Sequence, residues 1–198
     1  MARKKKEESR VLITGFGGQG IVLTGSILGQ AATIGDQRQA TMTQSYGPEA
    51  RGGSCSSQVI ISDEVIAFPY IEQAHVLVCM SQAGYEKNLA TLMEGGALIW
   101  DSDLVRTGEH DPSWRTYDVP ATRFAEELGN KMMANIVMLG FLAAVEPVTT
   151  PESLRQAMLA AVPPRTRDTN TKAFERGLAH GRALLAGRGK SKEPGETS

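Results

Sequence analysis

The sequence predicts an α/β fold, a three-layer α/β/α sandwich with a largely parallel sheet. Short apolar segments of strand length alternate with longer segments of helical periodicity along most of the chain. The first apolar segment, Arg10 to Phe16, runs directly into a glycine-rich turn. Apolar residues at helical spacing follow from Ile21 to Ile34, so the chain opens with a strand, a turn and a helix.

Local signals place the later elements in order. Ser81 is suited to cap a helix that stops at Gly95–Gly96, and Thr150 stands before a proline in the order expected of a cap and a first helical residue. The segment 130–145 is apolar around most of its circumference, which predicts a helix buried between layers. Further strands are expected at 38–45, 54–62, 76–80, 97–101 and 116–119, and further helices at 121–128, 152–162 and 170–185.

Composition and the two ends of the chain indicate one domain. The 198 residues are 41% hydrophobic and 22% charged, close to the averages of globular domains. Both ends are charged and lack hydrophobic periodicity. We therefore expect a disordered tail at 1–9, one folded domain at 10–186 and a second disordered tail at 187–198.

The balance of charge argues against nucleic acid as a partner. With 21 basic and 22 acidic residues the net charge is -1, so no overall field attracts phosphate backbones or anionic lipid. The basic run 3–6 is followed at once by two glutamates, which favours a solvated tail over a binding patch. No secretory signal is evident, and the longest apolar stretch, 132–145, is too short to span a bilayer. We expect a cytoplasmic protein.

The two cysteines, Cys55 and Cys79, do not indicate a metal site. They form no C-x-x-C pair and have no histidine at ligand spacing, so this chain alone cannot hold an iron–sulfur cluster or a structural zinc. We expect both to be small, buried strand residues.

The glycine turn, Gly15–Gly20 (GFGGQG), combines a strand end with a helix N-terminus. Unpaired N–H groups and the positive end of the helix dipole would face a ligand there, and glycines allow it to approach the backbone. A phosphate or pyrophosphate suits such a turn. The alternative is that the glycines only permit a tight turn and close helix packing.

Dinucleotide binding is disfavoured, although the turn satisfies the G-x-G-x-x-G pattern. A dinucleotide site also needs an acidic residue at the end of the second strand to bind the ribose. Here Asp36 precedes that strand, and the strand ends in Gln44, Ser45 and Tyr46. No Gly-Lys-Ser or Gly-Lys-Thr follows the glycines, so a P-loop is excluded as well.

The second turn, Tyr46–Gly53 (YGPEARGG), is expected at the same edge of the sheet as the glycine turn, because both follow parallel strands at their carboxyl ends. Arg51 could bind an anion there through two hydrogen bonds. The alternative is an ordinary surface arginine paired with Glu49.

Together, Gly15–Ile21 and Gln44–Gly53 closely resemble the gamma subunit of 2-oxoacid:ferredoxin oxidoreductases. The resemblance extends through Val59–Asp63 and Val78–Gln82 and covers about residues 10 to 185. It implies a complex that oxidatively decarboxylates a 2-oxoacid with coenzyme A, giving an acyl-CoA, CO2 and reduced ferredoxin. Alpha, beta and delta-type partner subunits would carry the thiamine diphosphate and the iron–sulfur clusters, and ferredoxin or another acceptor would take the electrons.

Carried over to this sequence, the resemblance implies a coenzyme A site and no catalytic residue. Arg51 would neutralise one phosphate, and Gln44 and Tyr46 would either line the approach to the thiamine centre or serve packing. Backbone N–H groups would be presented to the phosphates by Gly17, Gly18, Gln19, Gly20 and Ile21.

Three rival interpretations are open. The related indolepyruvate:ferredoxin oxidoreductase has other residues in place of 46–51, so the sequence here points away from it. A free-standing dehydrogenase would need its own acid–base residue, yet His75, His110 and His180 are not expected near a glycine turn or a strand's carboxyl end. An assembly subunit without a ligand is the third. The sequence does not indicate which 2-oxoacid is used.

Overall fold

The structure is a computed structural model that describes residues 8–47 and 53–190. A π-helical turn, Ala31–Gly35, directly follows the α-helix Ile21–Gln30. The strands of the described part are β1 Ser9–Phe16, β2 Gln39–Tyr46, β3 Ser54–Ser62, β4 Ala74–Cys79, β5 Leu92–Asp101 and β6 Arg115–Val119. The α-helices there are α1 Ile21–Gln30, α2 Gln82–Asn88, α3 Ala121–Glu127, α4 Ala134–Val145, α5 Pro151–Ala161 and α6 Arg167–Lys190.

All of these strands form one sheet with the order β2-β3-β1-β4-β5-β6. The pairs β1–β4, β4–β5 and β5–β6 are parallel, whereas β3 is antiparallel to both of its neighbours, β1 and β2. The predicted α/β fold is confirmed, and β3 makes the sheet mixed. β3 runs antiparallel to β2 because the connection between them, 47–53, is too short for the crossover that a parallel pair needs.

The two faces of the sheet are covered unequally. One face packs against α1, α3, α4, α5 and α6, and it contributes Ile13, Val78 and Ile99 to the larger apolar core. The other face contributes Leu12 and Leu77 to a smaller core, which α2 and the connecting loops cover. The three layers are therefore a thick helical layer, the sheet, and a thin layer to which the described residues contribute α2 as the one α-helix.

The buried helix predicted at 130–145 is confirmed as α4, preceded by a 3-10 turn. All of its residues except Ala144 are buried. Helix α6 crosses α4 so closely that a Cβ on Gly140 would collide with the backbone of Phe174, and one on Gly177 with the backbone of Val137. Glycines at the crossing thus allow the two backbones to touch.

Helix starts agree with the sequence better than helix ends. Ser81 Oγ accepts a hydrogen bond from the amide of Gly84 at 3.1 Å, and Thr150 Oγ1 accepts one from the amide of Ser153 at 3.2 Å, so both predicted caps are confirmed. The predicted stop at Gly95–Gly96 is wrong. Helix α2 ends at Asn88, and the two glycines lie within β5, where the pairing with β4 shifts register.

The last helix is longer than expected. It begins at Arg167 and continues to Lys190, past position 187, where the second tail was placed. Among the described residues, no helix is long and apolar enough to cross a membrane.

Candidate functional site

The glycine turn lies where the strand order of the sheet reverses. Strands β1 and β4 run side by side, from Val11 opposite Val76 to Thr14 opposite Cys79. From β1 the chain crosses by α1 to β2, and from β4 it crosses by α2 to β5 on the other side. Helices α1 and α2 pack on opposite faces. In open α/β sheets, ligands bind in the crevice at such a point.

The backbone geometry of the turn explains its glycines. Gly18 and Gly20 have φ angles of 97° and 75°, in the left-handed region that glycine adopts readily. Gly20 is also the N-cap residue of α1, where a Cβ would collide with the side-chain amide of Asn135 on α4. A Cβ on Gly15 would collide with the side chain of Gln19. Turn conformation and packing therefore both require these residues to be small.

Three of the predicted ligand residues present free backbone donors. Within 8–47 and 53–190, the amides of Gly18, Gly20 and Ile21 have no protein acceptor. The first turn of α1 carries no acidic side chain. The positive end of the helix dipole and these amides therefore face the same crevice without an opposing charge on α1, which suits a phosphate or another anion.

The other two predicted ligands, Gly17 and Gln19, use their amides within the protein. Gly17 donates to the carbonyl of Gly53 at 2.9 Å, and Gln19 donates to the carbonyl of Phe16 at 3.1 Å. The side chain of Gln19 accepts from the amide of Phe16 at 2.6 Å and donates to the carbonyl of Met80 at 2.8 Å. Gln19 therefore ties the turn to the end of β4 and positions the free amides.

The described end of the second turn, Gly53, lies beside the glycine turn, as predicted. The hydrogen bond between Gly17 and Gly53 joins the two segments directly. Arg51 lies outside the described residues, so its contact with an anion stays a prediction. Gln44 and Tyr46, at the end of β2, are exposed.

A cleft of about 350 Å³ opens beside Gln19. It lies between the carboxyl ends of β4 and β5 and the first turns of α3 and α4. Its wall is mostly apolar, and its polar groups are an amide, a hydroxyl, a carboxylate and an ammonium group. It is lined by Gln19, Met80, Leu104, Thr122, Glu126, Lys131, Met132 and Ala134. Thr122 and Lys131 were not predicted as site residues, although the proline before α3 and Asn130 before α4 mark two helix N-termini.

A buried carboxylate supports one wall of this cleft. Asp101, at the end of β5, is inaccessible to solvent. Its Oδ2 accepts from Thr122 Oγ1 at 2.6 Å and from the Thr122 amide at 3.0 Å, and its Oδ1 accepts from the Asp103 amide at 3.1 Å. Burial raises the pKa of Asp101, and the hydrogen bonds from Thr122 and Asp103 act in the opposite direction. Asp101 thereby anchors the first turn of α3.

Asp36 does not meet the requirement of a dinucleotide site. It lies at the amino end of β2, on the edge of the sheet opposite the glycine turn. Its carboxylate accepts from Thr150 Oγ1 at 2.8 Å, from the Thr150 amide at 2.9 Å and from Ser153 Oγ at 2.7 Å. Asp36 thus caps α5 and cannot reach a ribose at the carboxyl edge.

None of the three histidines is placed as an acid–base group beside the glycine turn. His75 stands at the amino end of β4, where its Nδ1 accepts from the amide of Arg10 at 3.1 Å. The ring of His110 packs 5.2 Å from that of Trp100 in the thin layer. His180 packs against two phenylalanine rings in the thick layer, and its burial lowers its pKa.

Both cysteines are buried strand residues, as predicted. Burial raises the pKa of Cys79 to about 12 and also raises that of Cys55. Both thiols are therefore protonated and unreactive at neutral pH. No group of three or more His, Cys, Asp or Glu residues in the described part of the chain could hold a metal ion.

Comparisons with known proteins agree with the resemblance seen in the sequence. The 2-oxoglutarate synthase subunit KorC of Methanocaldococcus jannaschii is 45% identical over 177 residues, covering 88% of this chain and 95% of that protein. The gamma subunit of a keto/oxoacid ferredoxin oxidoreductase from Geobacter sulfurreducens has a TM-score of 0.78 at 38% identity, over 88% of this chain and 99% of that one.

A larger enzyme contains the same fold as part of a longer chain. The 2-oxoglutarate:ferredoxin oxidoreductase of Magnetococcus marinus matches with a TM-score of 0.79 at 22% identity, over 91% of this chain but 32% of that one. The family model described as pyruvate ferredoxin/flavodoxin oxidoreductase matches residues 10–180. The chain therefore belongs to the pyruvate ferredoxin/flavodoxin oxidoreductase family and is homologous to subunits of 2-oxoacid:ferredoxin oxidoreductases.

Proposed function

We propose that this chain is the gamma subunit of a coenzyme A-dependent 2-oxoacid:ferredoxin oxidoreductase and that its glycine turn binds phosphate groups of coenzyme A. In this reaction the bond between the carboxylate and the carbonyl carbon breaks and releases CO2. The acyl group forms a thioester with coenzyme A, and the electron pair passes to ferredoxin or another acceptor. The chain contributes coenzyme A binding and assembly, and it holds no complete active site.

The observation that carries the proposal is the set of free donors at the start of α1. The amides of Gly18, Gly20 and Ile21 have no acceptor among the described residues, at a helix end without acidic side chains. Phosphate oxygens are the acceptors that such donors bind best, because the helix dipole adds to the hydrogen bonds. Arg51, on the neighbouring turn, would add a full positive charge.

Gln19 has a different role from the one carried over from the family. Because both its backbone amide and its side chain are already hydrogen bonded, it holds the turn in the conformation that exposes its neighbours' amides. Gly17 acts in the same way by joining the turn to Gly53. The phosphate ligands proposed here are therefore Gly18, Gly20 and Ile21, with Arg51.

Coenzyme A is favoured over a nicotinamide or flavin dinucleotide. The carboxylate that would bind a ribose, Asp36, caps a helix at the opposite edge of the sheet. The Magnetococcus enzyme, which shares the fold, was solved with coenzyme A and succinyl-CoA bound. Binding of coenzyme A to this chain is supported by its own donor set rather than by that fold alone.

The remaining chemistry is assigned to partner subunits. The buried, protonated thiols of Cys55 and Cys79 do not suit cluster ligation. Alpha, beta and delta-type subunits would supply the thiamine diphosphate and the iron–sulfur clusters. The 45% identity to a 2-oxoglutarate synthase subunit favours 2-oxoglutarate as the oxoacid, with succinyl-CoA as the product.

The decisive variant is Gly18→Ala in the assembled complex. Gly18 has φ 97°, and no atom lies within 4 Å of an added Cβ, so the change strains the turn without creating a collision. An alanine in this left-handed backbone conformation costs about 1–2 kcal/mol more than a glycine. We expect the Kd for coenzyme A to rise about tenfold, measured by calorimetry on the complex. Gly29→Ala is the matched control, since Gly29 lies in α1 with equally open space and no positive φ.

Two results would contradict the proposal. One is an unchanged affinity for coenzyme A in Gly18→Ala and Arg51→Ala alike. The other is tight binding of NADH by the purified chain, which would favour a free-standing dehydrogenase. Activity of the complex against 2-oxoglutarate, pyruvate, a branched-chain oxoacid and an aryl glyoxylate tests the choice of substrate.

A further inference from the structure

On its thin side the sheet has a region that residues 8–47 and 53–190 cover only in part, which we call the open face. It is formed by Thr41, Thr43 and Ser45 of β2 and by Ser54 and Ser56 of β3. The register pairs Thr43 with Gln58 and Ser45 with Ser56, so these side chains share one side of the sheet. They are partly or fully exposed. Strand β2 is also the edge of the sheet.

The open face carries no charged side chain. Its members are hydroxyl residues, in a protein in which 22% of all residues are charged. Exposed edge strands of monomers usually carry lysine, proline or another device that prevents pairing. The cores of protein interfaces, by contrast, are depleted in charged residues. The composition of the open face therefore matches a surface that is covered in the working protein.

An aromatic rim borders the open face. The connection between β3 and β4 crosses the thin side, where the amide of Ile71 donates to Gln58 Oε1 at 2.8 Å. On this loop Phe68 and Tyr70 are both 57% exposed, with ring centroids 5.5 Å apart, and Val65 is 87% exposed. Large exposed apolar groups close together mark interaction sites, and aromatic rings are enriched there.

The far end of the open face reaches the glycine turn. Phe16 pairs with Ser54 across β1 and β3 and is 39% exposed. A protein that covers the open face would therefore also contact the turn proposed to bind coenzyme A. This choice of occupant rests on the proposed function, in which the reacting centre lies on another subunit and must approach that turn.

The lengths of relatives favour a different chain over a second copy of this one. In the ketoisovalerate oxidoreductase subunit VorA of Methanothermobacter marburgensis, 34% identical, the match covers 91% of this chain but 38% of that protein. Further protein is thus joined covalently to the equivalent domain there. A further part of the same enzyme therefore accompanies the equivalent domain in that relative, which favours such a protein over a second copy of this chain as the occupant.

We propose that the open face, with its rim of Phe68 and Tyr70, is the surface on which another subunit of the oxidoreductase docks. The partner meets it with uncharged hydrogen-bonding side chains over the sheet and an apolar pocket for the two rings. The part of the partner nearest the glycine turn covers Phe16 and so completes the coenzyme A site.

The test measures binding of the full chain to the purified complex of the remaining subunits, immobilised on a sensor. One variant is Thr43→Lys, which puts a charge at the centre of the open face. The second is Phe68→Ser combined with Tyr70→Ser, which removes the rim. The matched controls are Thr33→Lys and Ile34→Ser, at exposed positions next to α1 on the thick side, where Ile34 is 79% exposed.

We expect both open-face variants to bind about tenfold or more weakly, as for hot-spot residues, and both controls to bind as the wild type does. Thermal unfolding of each isolated chain checks that the fold is retained. Unchanged binding of either folded open-face variant would overturn the proposal. Loss of self-association by the isolated chain, with unchanged binding to the other subunits, would assign the surface to a second copy and overturn it too.

The outcome is independent of the coenzyme A test. If Gly18→Ala and Arg51→Ala both leave coenzyme A affinity unchanged while Thr43→Lys abolishes docking, the proposed ligand is wrong and the docking surface stands. If the open-face variants dock as the wild type does and Gly18→Ala weakens coenzyme A binding, the coenzyme A site stands and the docking surface is wrong.

Discussion

At the amino edge of the sheet, the carboxylate of Asp36 accepts hydrogen bonds from Thr150 and Ser153, and Arg38 binds Asp63 at 2.7 Å. At the carboxyl edge, the amides of Gly18, Gly20 and Ile21 have no acceptor among the described residues. Both edges contain a connection between a helix and a strand. The Asp36 and Arg38 groups are paired within the protein, whereas the three amides of the glycine turn are not.

This difference separates structural from functional polar groups. A buried polar group without a partner costs free energy, so an edge that only holds the fold together pairs its donors and acceptors internally. An edge that leaves donors open and adjacent can use a ligand as their partner. The amino edge is therefore expected to determine stability, and the carboxyl edge to determine binding.

The largest effect is expected at the amino edge, from Asp36→Ala. Loss of a carboxylate that is 6% exposed removes the acceptor of the Thr150 amide and of the Ser153 hydroxyl, while the Thr150 hydroxyl keeps Ser153 as a partner. We expect the free energy of unfolding to fall by about 3 kcal/mol, measured by urea denaturation, with coenzyme A affinity of the assembled complex unchanged.

Asp111→Ala is the control for that variant. Asp111 accepts from the amide of Ser113 in an exposed turn, so water replaces it and the unfolding midpoint should change much less. Equal losses in the two variants, or weaker coenzyme A binding in Asp36→Ala, would break the division between the two edges.

An intermediate effect is expected from Gln19→Leu at the carboxyl edge. The leucine keeps the volume but removes the hydrogen bonds to Phe16 and Met80, so the glycine turn is no longer tied to β4. We expect a loss of about 1–2 kcal/mol in unfolding free energy and about tenfold in coenzyme A affinity.

Gln30→Leu, at the other end of α1, is the matched substitution, because its side chain bonds only to Ser26 among the described residues. It should leave coenzyme A binding unchanged. A Gln19→Leu complex with wild-type affinity for coenzyme A would show that the turn does not need this anchor.

The smallest effect concerns Asp101, the buried aspartate of the carboxyl edge. Because burial raises its pKa in the folded state, the native protein binds more protons than the unfolded chain between the ordinary value of 3.8 and the raised value. Its contribution to stability is therefore present at lower pH and declines as pH rises through that interval. As pH rises through this interval, the urea midpoint of the wild type should fall relative to that of Asp101→Asn, which lacks the titrating group. Parallel profiles of the two proteins would contradict this assignment.

Local signals predicted the elements well where one short segment carries the information. The caps at Ser81 and Thr150 were predicted because a side-chain oxygen and the amide that it accepts from lie three residues apart. The buried helix α4 was predicted because apolar residues surround it. The helix stop predicted at Gly95 and Gly96 was wrong, since glycines occur both where a helix ends and where a strand bulges.

The segments of the candidate site were predicted to lie together, and the hydrogen bond between Gly17 and Gly53 confirms that they do. The anion site that the order of strand, turn and helix predicts at Gly17–Ile21 stays a prediction. Which amides are free depends on partners far along the chain, such as Gly53 and Met80. The cleft wall at Thr122 and Lys131 was missed for the same reason.

The sequence by itself determined the fold class, the glycine turn and the family, because each depends on residue types at short, fixed spacings. Only the tertiary structure decided that β3 runs antiparallel, that the Gln19 side chain ties the turn to Met80, and that Asp36 caps a helix at the far edge. It also revealed the uncharged open face, since the exposed side of a strand is defined by what the rest of the chain leaves uncovered. These features depend on contacts between distant segments, and local spacing carries no information about such contacts.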